Sequence, residues 1–181
     1  MVAGVGLVVV AAAIAVLYPR DGWVLYHGRA VTFNLRYPRT LHRVPAPPGG
    51  YARIEQRNAA GALLRWFEVD PLRLPPFHGE ISGALPVFAT TYIAGLRGRT
   101  AGFVLQTETK TRVNLNPGYT FTYAATLGGR RVFGRVVMLL PALSGTRDGV
   151  VLTMGTVPSG LVPGPDQVAA IDVLQIPLRS F

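Results

Sequence analysis

The sequence contains no cysteine. This absence excludes disulfide bonds, thiolate metal sites, a cysteine nucleophile and a lipid-modified cysteine. Charged residues are also scarce, at 15% of the chain against roughly 25% in ordinary globular proteins. Acidic residues are the scarcer kind, because nine Asp and Glu stand against 18 Lys and Arg, for a formal net charge of +9.

Lysine is almost missing as well, since Lys110 is the only one and arginine carries the remaining positive charge. The arginines are scattered along the chain without a run of five or six. Proteins that bind nucleic acid usually cluster their basic residues and place stacking aromatic residues among them. We therefore expect no nucleic-acid partner, and we interpret the basic residues as a solvated surface near anionic lipid headgroups.

Catalytic and cofactor motifs are absent too. No G-x-S-x-G sequence, phosphate-binding loop or dinucleotide-binding loop occurs. The histidines, His27, His42 and His78, never pair at the spacing of three or four residues that places two metal ligands on one helix face. The sequence thus predicts no metal site, no cofactor and no catalytic residue.

The first segment of the chain is apolar throughout. Residues 1–17 read MVAGVGLVVVAAAIAVL and carry no charged side chain, and a helix of that length covers about 26 Å. This is the low end of the length that spans a bilayer. Tyr18 and Trp23 follow where aromatic residues settle at a membrane interface. We predict one transmembrane helix over residues 1–18, a single-pass anchor in the cell membrane that contacts lipid through residues 1–17.

A cleaved signal peptide is the alternative, since Ala13-Ile14-Ala15 has the small-x-small pattern of a cleavage site. The anchor is favoured because no polar region separates that site from the apolar run. Arg20 and Arg29 after the segment would, by the positive-inside tendency, place the body in the cytoplasm. We nevertheless expect an extracytoplasmic body, because basic residues before the given Met1 would reverse this bias.

The rest of the chain is divided into a juxtamembrane linker, 19–29, and one domain, 30–181. Strands are predicted at 31–37, 51–57, 62–69, 103–113, 119–126, 131–140 and 150–155, the last two from apolar runs and the clearest of the others from alternating apolar and polar residues. An apolar stripe predicts a helix over 84–97, and a short helix is expected over 166–174. The fold class is therefore α+β, an antiparallel β-sheet with flanking helices.

This order of elements resembles the PsbP-like fold family. The resemblance rests on Phe33–Pro38 as an opening strand that ends in Tyr-Pro, on the helix around Leu85–Leu96, on Pro117-Gly118-Tyr119, and on the closing Ser180-Phe181. Thr40-Leu41 stands where the family often has Gly-Trp. The resemblance covers residues 30–181 and implies the fold and a scaffold or accessory role. The family shares no catalytic set, so the resemblance implies no site residues.

The segment DPLRLPPFHGEISG, residues 70–83, is interpreted as a long loop, and its part from Asp70 to Glu80 is the predicted binding site. Loops longer than about 12 residues are uncommon and often functional. Its prolines stiffen it and can hold Asp70, Arg73, His78 and Glu80 toward a ligand or partner at a low entropic cost. The alternative is a surface connection in which Asp70 and Glu80 pair with arginines. The aromatic row Tyr119, Phe121 and Tyr123 is predicted to be core.

These observations favour a membrane-tethered, non-enzymatic accessory domain of the cell envelope that binds a protein or small-molecule partner. The alternative is an enzyme of unrecognised type that uses the Asp70–Glu80 segment. That alternative requires a cleft in which His78 meets Asp70 or Glu80, with a raised carboxyl pKa.

Overall fold

The computed structural model describes residues 21–28, 31–78, 81–140 and 147–181. The strands are β1 (Gly22–His27), β2 (Thr32–Tyr37), β3 (His42–Val44), β4 (Ala52–Arg57), β5 (Leu63–Arg73), β6 (Val104–Val113), β7 (Asn116–Leu127), β8 (Arg130–Leu139) and β9 (Asp148–Thr156). The helices are α1 (Ile81–Arg99) and α2 (Gln175–Ser180), and Pro165–Gln167 form a 3₁₀ turn.

Within these described ranges, seven strands form one sheet in the order β3-β4-β5-β9-β8-β7-β6, and β1 and β2 form a separate hairpin. Every pairing is antiparallel. The β7–β8 hairpin closes at Gly128-Gly129, both with positive φ, which glycine adopts without the steric cost of a Cβ. The predicted α+β class and antiparallel sheet are therefore confirmed.

The sheet is buried on both faces. One face, called here the helix face, packs against α1 through a cluster that includes Phe121, Val136 and Leu140. The other, called the hairpin face, packs against β1–β2 and the chain after β9 through a cluster that includes Phe67, Leu152 and Leu174. Two buried faces explain why β8 and β9 read as nearly continuous apolar runs.

Helix α1 forms where the apolar stripe predicts it and extends further at both ends. Leu85, Ala89 and Ile93 are buried at intervals of four residues, as expected for one face of a helix. Phe88 and Tyr92 pack beside them on the helix face of the sheet. Of the aromatic row predicted to be core, Phe121 and Tyr123 are buried, and Tyr119 is partly buried against the same cluster.

The residues that carry the family resemblance at the two ends of the domain meet in space. The Arg36 amide donates a hydrogen bond to the Ser180 hydroxyl over 2.8 Å, and Phe181 stacks on Phe33 with ring centroids 5.0 Å apart. The final helix is therefore attached to β2. The Ser-Phe pair packs there because Ser180 satisfies backbone polar groups of β2 while Phe181 adds apolar area.

The structure corrects the predicted linker 19–29, because Gly22–His27 form β1, which pairs with β2 from Gly22↔Tyr37 to His27↔Thr32. Only Val24 of this strand is fully buried, and Trp23 and Leu25 point to solvent. The alternation was present in the sequence, but we interpreted Trp23 as a membrane-interface residue.

The predicted loop 70–83 is also corrected at its start. Asp70 and Arg73 belong to β5, which pairs with β9 as far as Arg73↔Asp148. Pro71 fits there because β4 pairs with β5 only as far as Ala52↔Val69. Beyond that point the β4 side of β5 needs no backbone donor, so a proline is tolerated.

The predicted helix 166–174 is wrong. A 3₁₀ turn occupies Pro165–Gln167, and the helix lies later, at Gln175–Ser180. Ala169 has a positive φ of 55°, and the Asp172 carboxylate accepts hydrogen bonds from the Ala169 and Leu174 amides. Such side-chain bonds to the backbone compete with helix formation. Pro177 lies in the first turn of α2, where a missing amide hydrogen is tolerated.

No helix among the described residues is long and apolar enough to cross a membrane. The predicted transmembrane segment, residues 1–18, lies outside the described ranges.

On the helix face, two large aromatic residues flank two glycines along one row across the strands. Trp66 of β5 lies over Gly155 of β9, and Tyr123 of β7 lies over the adjacent Gly134 of β8. A Cβ built on Gly155 would stand 2.1 Å from the Trp66 indole, and one on Gly134 would stand 2.2 Å from the Tyr123 ring. The two glycines therefore provide the space in which the two rings lie flat on the sheet.

We expect Gly155→Val to destabilise the fold by about 3 kcal/mol, because the new side chain must displace the Trp66 ring from a packed site. Urea unfolding of the variant and the parent measures this difference. Gly160→Ala is the control, since a Cβ at Gly160 meets nothing within 4 Å. Equal midpoints for the Gly155 variant and the parent would contradict the packing described.

Asp172 supplies a pH-dependent contribution to stability. Its second carboxylate oxygen is buried without a hydrogen-bond partner among the described residues, and burial raises the pKa of this carboxyl above its ordinary value. The native chain thus binds a proton there more readily than the unfolded chain. This contribution to stability is present below the ordinary carboxyl pKa and is lost as the pH rises through the raised one.

We therefore expect Asp172→Asn to change the slope of stability against pH. Relative to the parent, the variant should gain stability as the pH rises from 4 to 7, because an amide has no proton to lose. Thermal unfolding at several pH values checks this. A difference between the two chains that is independent of pH would show that the Asp172 carboxyl is not perturbed in the fold.

Candidate functional site

An apolar groove opens between the segment after β5 and the first half of α1. Its volume is about 570 Å³, within the range of small-ligand sites. His78 and Thr91 are its polar lining side chains among the described residues. The remaining lining is apolar or glycine: Leu74, Pro75, Pro76, Phe77, Gly83, Ala84, Val87 and Phe88.

The local sequence explains why the groove stays open. Leu74 is buried in the helix-face cluster, and its amide donates to the Arg147 carbonyl over 2.9 Å, which attaches the segment to the sheet. Pro75 and Pro76 then restrict the backbone to extended conformations. The segment therefore does not coil against α1, and Phe77 and His78 form one wall of the groove.

The structure separates the residues predicted to form the site. His78 lines the groove. Asp70 and Arg73 stand three positions apart on one strand, so they point to opposite faces: Asp70 to the helix face with Trp66, and Arg73 to the hairpin face with Phe67. Arg73 pairs with Asp148, its neighbour on β9, at 3.7 Å. Glu80 lies outside the described residues.

Sequence reasoning missed a charged surface on the helix face, where β4 and β5 extend beyond α1. Arg53 forms ion pairs with Glu55 and Glu68, and Arg57 pairs with Glu55 at 2.6 Å. Asp70 lies two residues beyond Glu68 on the same face. We call this surface, Arg53, Glu55, Arg57, Glu68 and Asp70, the charged floor. The alternation of Arg53, Glu55 and Arg57 in β4 was the available signal, because strand residues two apart share a face.

The carboxyl groups of the charged floor differ in their electrostatics. Burial would raise the pKa of Glu55, but hydrogen bonds from Arg57 and Arg53 hold it below the ordinary value. Burial raises the pKa of Glu68 despite the charge of Arg53. Burial also raises the pKa of Asp70, which has only the charge of Arg53 to oppose it. Glu68 and Asp70 are therefore the more easily protonated members.

Tyr92 connects the groove to the charged floor. Its ring lies 6.3 Å from that of Phe88, a groove residue. Burial raises the pKa of the Tyr92 phenol, and the charges of Asp70 and Glu68 raise it further. The groove and the charged floor are thus neighbouring parts of one surface, with an apolar region bordered by charge.

The geometry required by the enzymatic alternative is only partly present. The carboxyl pKa of Asp70 is raised, but the groove that holds His78 is not lined by Asp70. Among the described residues, no three His, Asp or Glu side chains come together as metal ligands. In the part of the chain that the structure describes, His78 and Asp70 therefore do not share one cleft.

Neither a family model nor a curated protein matches the chain, but several solved structures match it in fold. LpqN of Mycobacterium tuberculosis, a protein involved in cell envelope biogenesis, matches with a TM-score of 0.59 and 10% identity over 92% of each chain. The Ran-binding protein Mog1p of Saccharomyces cerevisiae matches with a TM-score of 0.53 and 15% identity over 89% of this chain and 94% of that one.

PsbP of the cyanobacterium Synechocystis sp. PCC 6803 matches over 75% of this chain and 80% of that one, with a TM-score of 0.44 and 14% identity. At such identities the likeness concerns the fold alone. The loose, fold-level resemblance to the PsbP-like fold family that the sequence indicated is confirmed.

Proposed function

We propose that this chain is a non-enzymatic accessory domain of the cell envelope that binds the apolar side chains of a partner protein in the groove beside α1. The observation that carries this proposal is the open apolar groove lined by Phe77, Val87 and Phe88. Val87 is 72% exposed. An exposed apolar site of this kind is characteristic of an interaction surface.

The surroundings of the groove favour a protein over a lipid chain. The groove is continuous with the charged floor through Tyr92, and an apolar centre bordered by charged residues is the usual anatomy of a protein interface. The outer side of α1 beyond Val87 carries small exposed residues, Ala94 and Gly95, against which a second backbone can approach closely. A protein partner would therefore contact this side of α1 as well as the groove.

The position of the groove supports the same occupant. The described chain enters at β1, on the hairpin face, whereas the groove lies on the helix face. A domain tethered through residues 1–17 therefore holds the groove on the side of the sheet away from its tether. The similarity to LpqN is compatible with a place in the cell envelope, and Mog1p shows that a protein of similar fold can be Ran-binding.

The tether is part of the proposal and has its own test. We expect the full-length chain to stay in the membrane pellet through an alkaline carbonate wash, because residues 1–17 are apolar and uncharged. A chain that lacks residues 1–18 should be released. Immunoblots of pellet and supernatant decide between these outcomes. Full-length chain in the supernatant would contradict the tether.

The groove is tested by photo-crosslinking in membranes of cells that express the full-length chain. A benzophenone amino acid in place of Val87 should give a discrete protein adduct on irradiation. The same amino acid in place of Leu115 is the matched control, since Leu115 is 80% exposed but lies in the β6–β7 turn. Adducts with the mass of a lipid, or equal adducts from both positions, would contradict a protein occupant.

His78 and Arg73 separate the groove from the rest of the predicted site in the same experiment. His78→Ala should lower the Val87 adduct about fivefold, the effect of losing about 1 kcal/mol of binding. Arg73→Ala should leave it unchanged, because Arg73 faces the other side of the sheet.

A further inference from the structure

A second, polar pocket lies on the hairpin face, between the ends of β6–β8 and helix α2. Its volume is about 220 Å³. Arg112, Arg135 and Arg179 line it, together with the polar residues Thr111, Asn114 and Thr120. Arg112 also lines a hollow on the helix face with Leu85 and Pro86. These arginines are far apart in the sequence, and the fold brings them to one pocket. No described acidic residue lines it.

Arg135 forms the inner wall of the pocket. It lies on β8 between the buried residues Phe133 and Val137, and one terminal nitrogen donates to the Asp166 backbone carbonyl over 2.8 Å. Its Nε is buried and has no hydrogen-bond partner among the described residues. Burial lowers the pKa of its guanidinium, which the charges of Asp166 and Asp172 oppose. Arg135 therefore keeps an unused, desolvated donor.

The nearby carboxylates are already engaged. The Asp166 side chain accepts hydrogen bonds from Thr107 and Thr122 over 2.9 and 2.7 Å. One oxygen of Asp172 accepts the amides of Ala169 and Leu174. Neither forms an ion pair within 4.0 Å of Arg135, so neither takes the place of a ligand in the pocket.

Arg179 forms the outer wall and is exposed, and its side chain has no ion pair or hydrogen bond to another described residue. Arg112 borders the pocket, but its place in the register of β6 directs its side chain to the helix face with Lys110. Arg179 also lines an adjoining pocket with Arg36, whose ion pair with Asp21 spans 3.4 Å. Several like charges gathered around one hollow repel each other, and an anion placed between them removes that repulsion.

We propose that this pocket is a binding site for a phosphate-type oxyanion. Guanidinium groups bind phosphate oxygens in bidentate pairs, and a phosphoryl group offers acceptors to several arginines at once. A carboxylate, in contrast, has only two oxygens, and one guanidinium group can pair with both of them. The hydroxyl of Thr111 and the amide of Asn114 add neutral donors at the rim.

The phosphoryl group can belong to a lipid headgroup or to free phosphate. The pocket and the strand β1, at which the described chain enters, share the hairpin face. An anionic headgroup would therefore meet Arg179 and Arg36 from the side on which a tethered domain faces the membrane. Free phosphate would accept hydrogen bonds from the same donors, and its binding would not depend on how the domain faces the membrane.

Thermal unfolding of the full-length chain in neutral detergent tests the site. Inorganic phosphate, or soluble dihexanoyl phosphatidylglycerol, should raise the midpoint above that in chloride of equal ionic strength, because a ligand that binds only the native state stabilises it. Arg179→Gln should need about tenfold more ligand for the same rise. Arg179 is exposed, so the variant should fold.

Arg97→Gln is the matched control, because Arg97 is exposed on α1, on the opposite face, and the change in net charge is the same. It should respond as the parent does. A response to phosphate identifies the free anion as sufficient, and a response to phosphatidylglycerol alone identifies the headgroup. No rise with either ligand, or equal weakening in Arg97→Gln and Arg179→Gln, would overturn the proposal.

Discussion

The pairing of β5 with β9 is the interaction on which the rest of the structure depends. It joins two antiparallel units, β3-β4-β5 and β6-β7-β8-β9, that are separated along the chain by α1. The pairing runs from Arg65↔Thr156 to Arg73↔Asp148. Because it is long-range, its closure carries an entropic cost, which burial of both sheet faces offsets. It also determines where β5 ends, and the groove begins at that point.

The strands, α1 and the aromatic core could be predicted because their signals are local. Alternation in Thr32–Tyr37 and the apolar stripe of α1 each report one buried face. The extension of β5 could not be predicted, since Asp70 and Pro71 are poor strand residues in isolation. They are held in the strand by pairing with β9, about 80 residues later in the chain. The residues around Asp70 carry no signal that predicts this pairing.

The candidate site illustrates the same limit. Pro75 and Pro76 predict a stiff segment, and the structure places them with His78 along the groove. The position of Asp70 and Arg73 on opposite sheet faces follows from their being in a strand, which a loop interpretation cannot foresee. Scattered arginines likewise gave no sign that Arg135 and Arg179 line one pocket, because only the docking of α2 beside the ends of β6 and β8 brings them together.

The two faces of the sheet differ in the chemistry they offer, and buried residues of the sheet separate them. The groove beside Val87 offers apolar contact bordered by charge, whereas the pocket beside Arg135 is lined by arginine, threonine and asparagine residues. Gly134 and Gly155 leave the space in which Tyr123 and Trp66 lie on the helix face, and the sheet lies between the two proposed sites. The proposed protein partner and the proposed anion would therefore contact different side chains and would not compete.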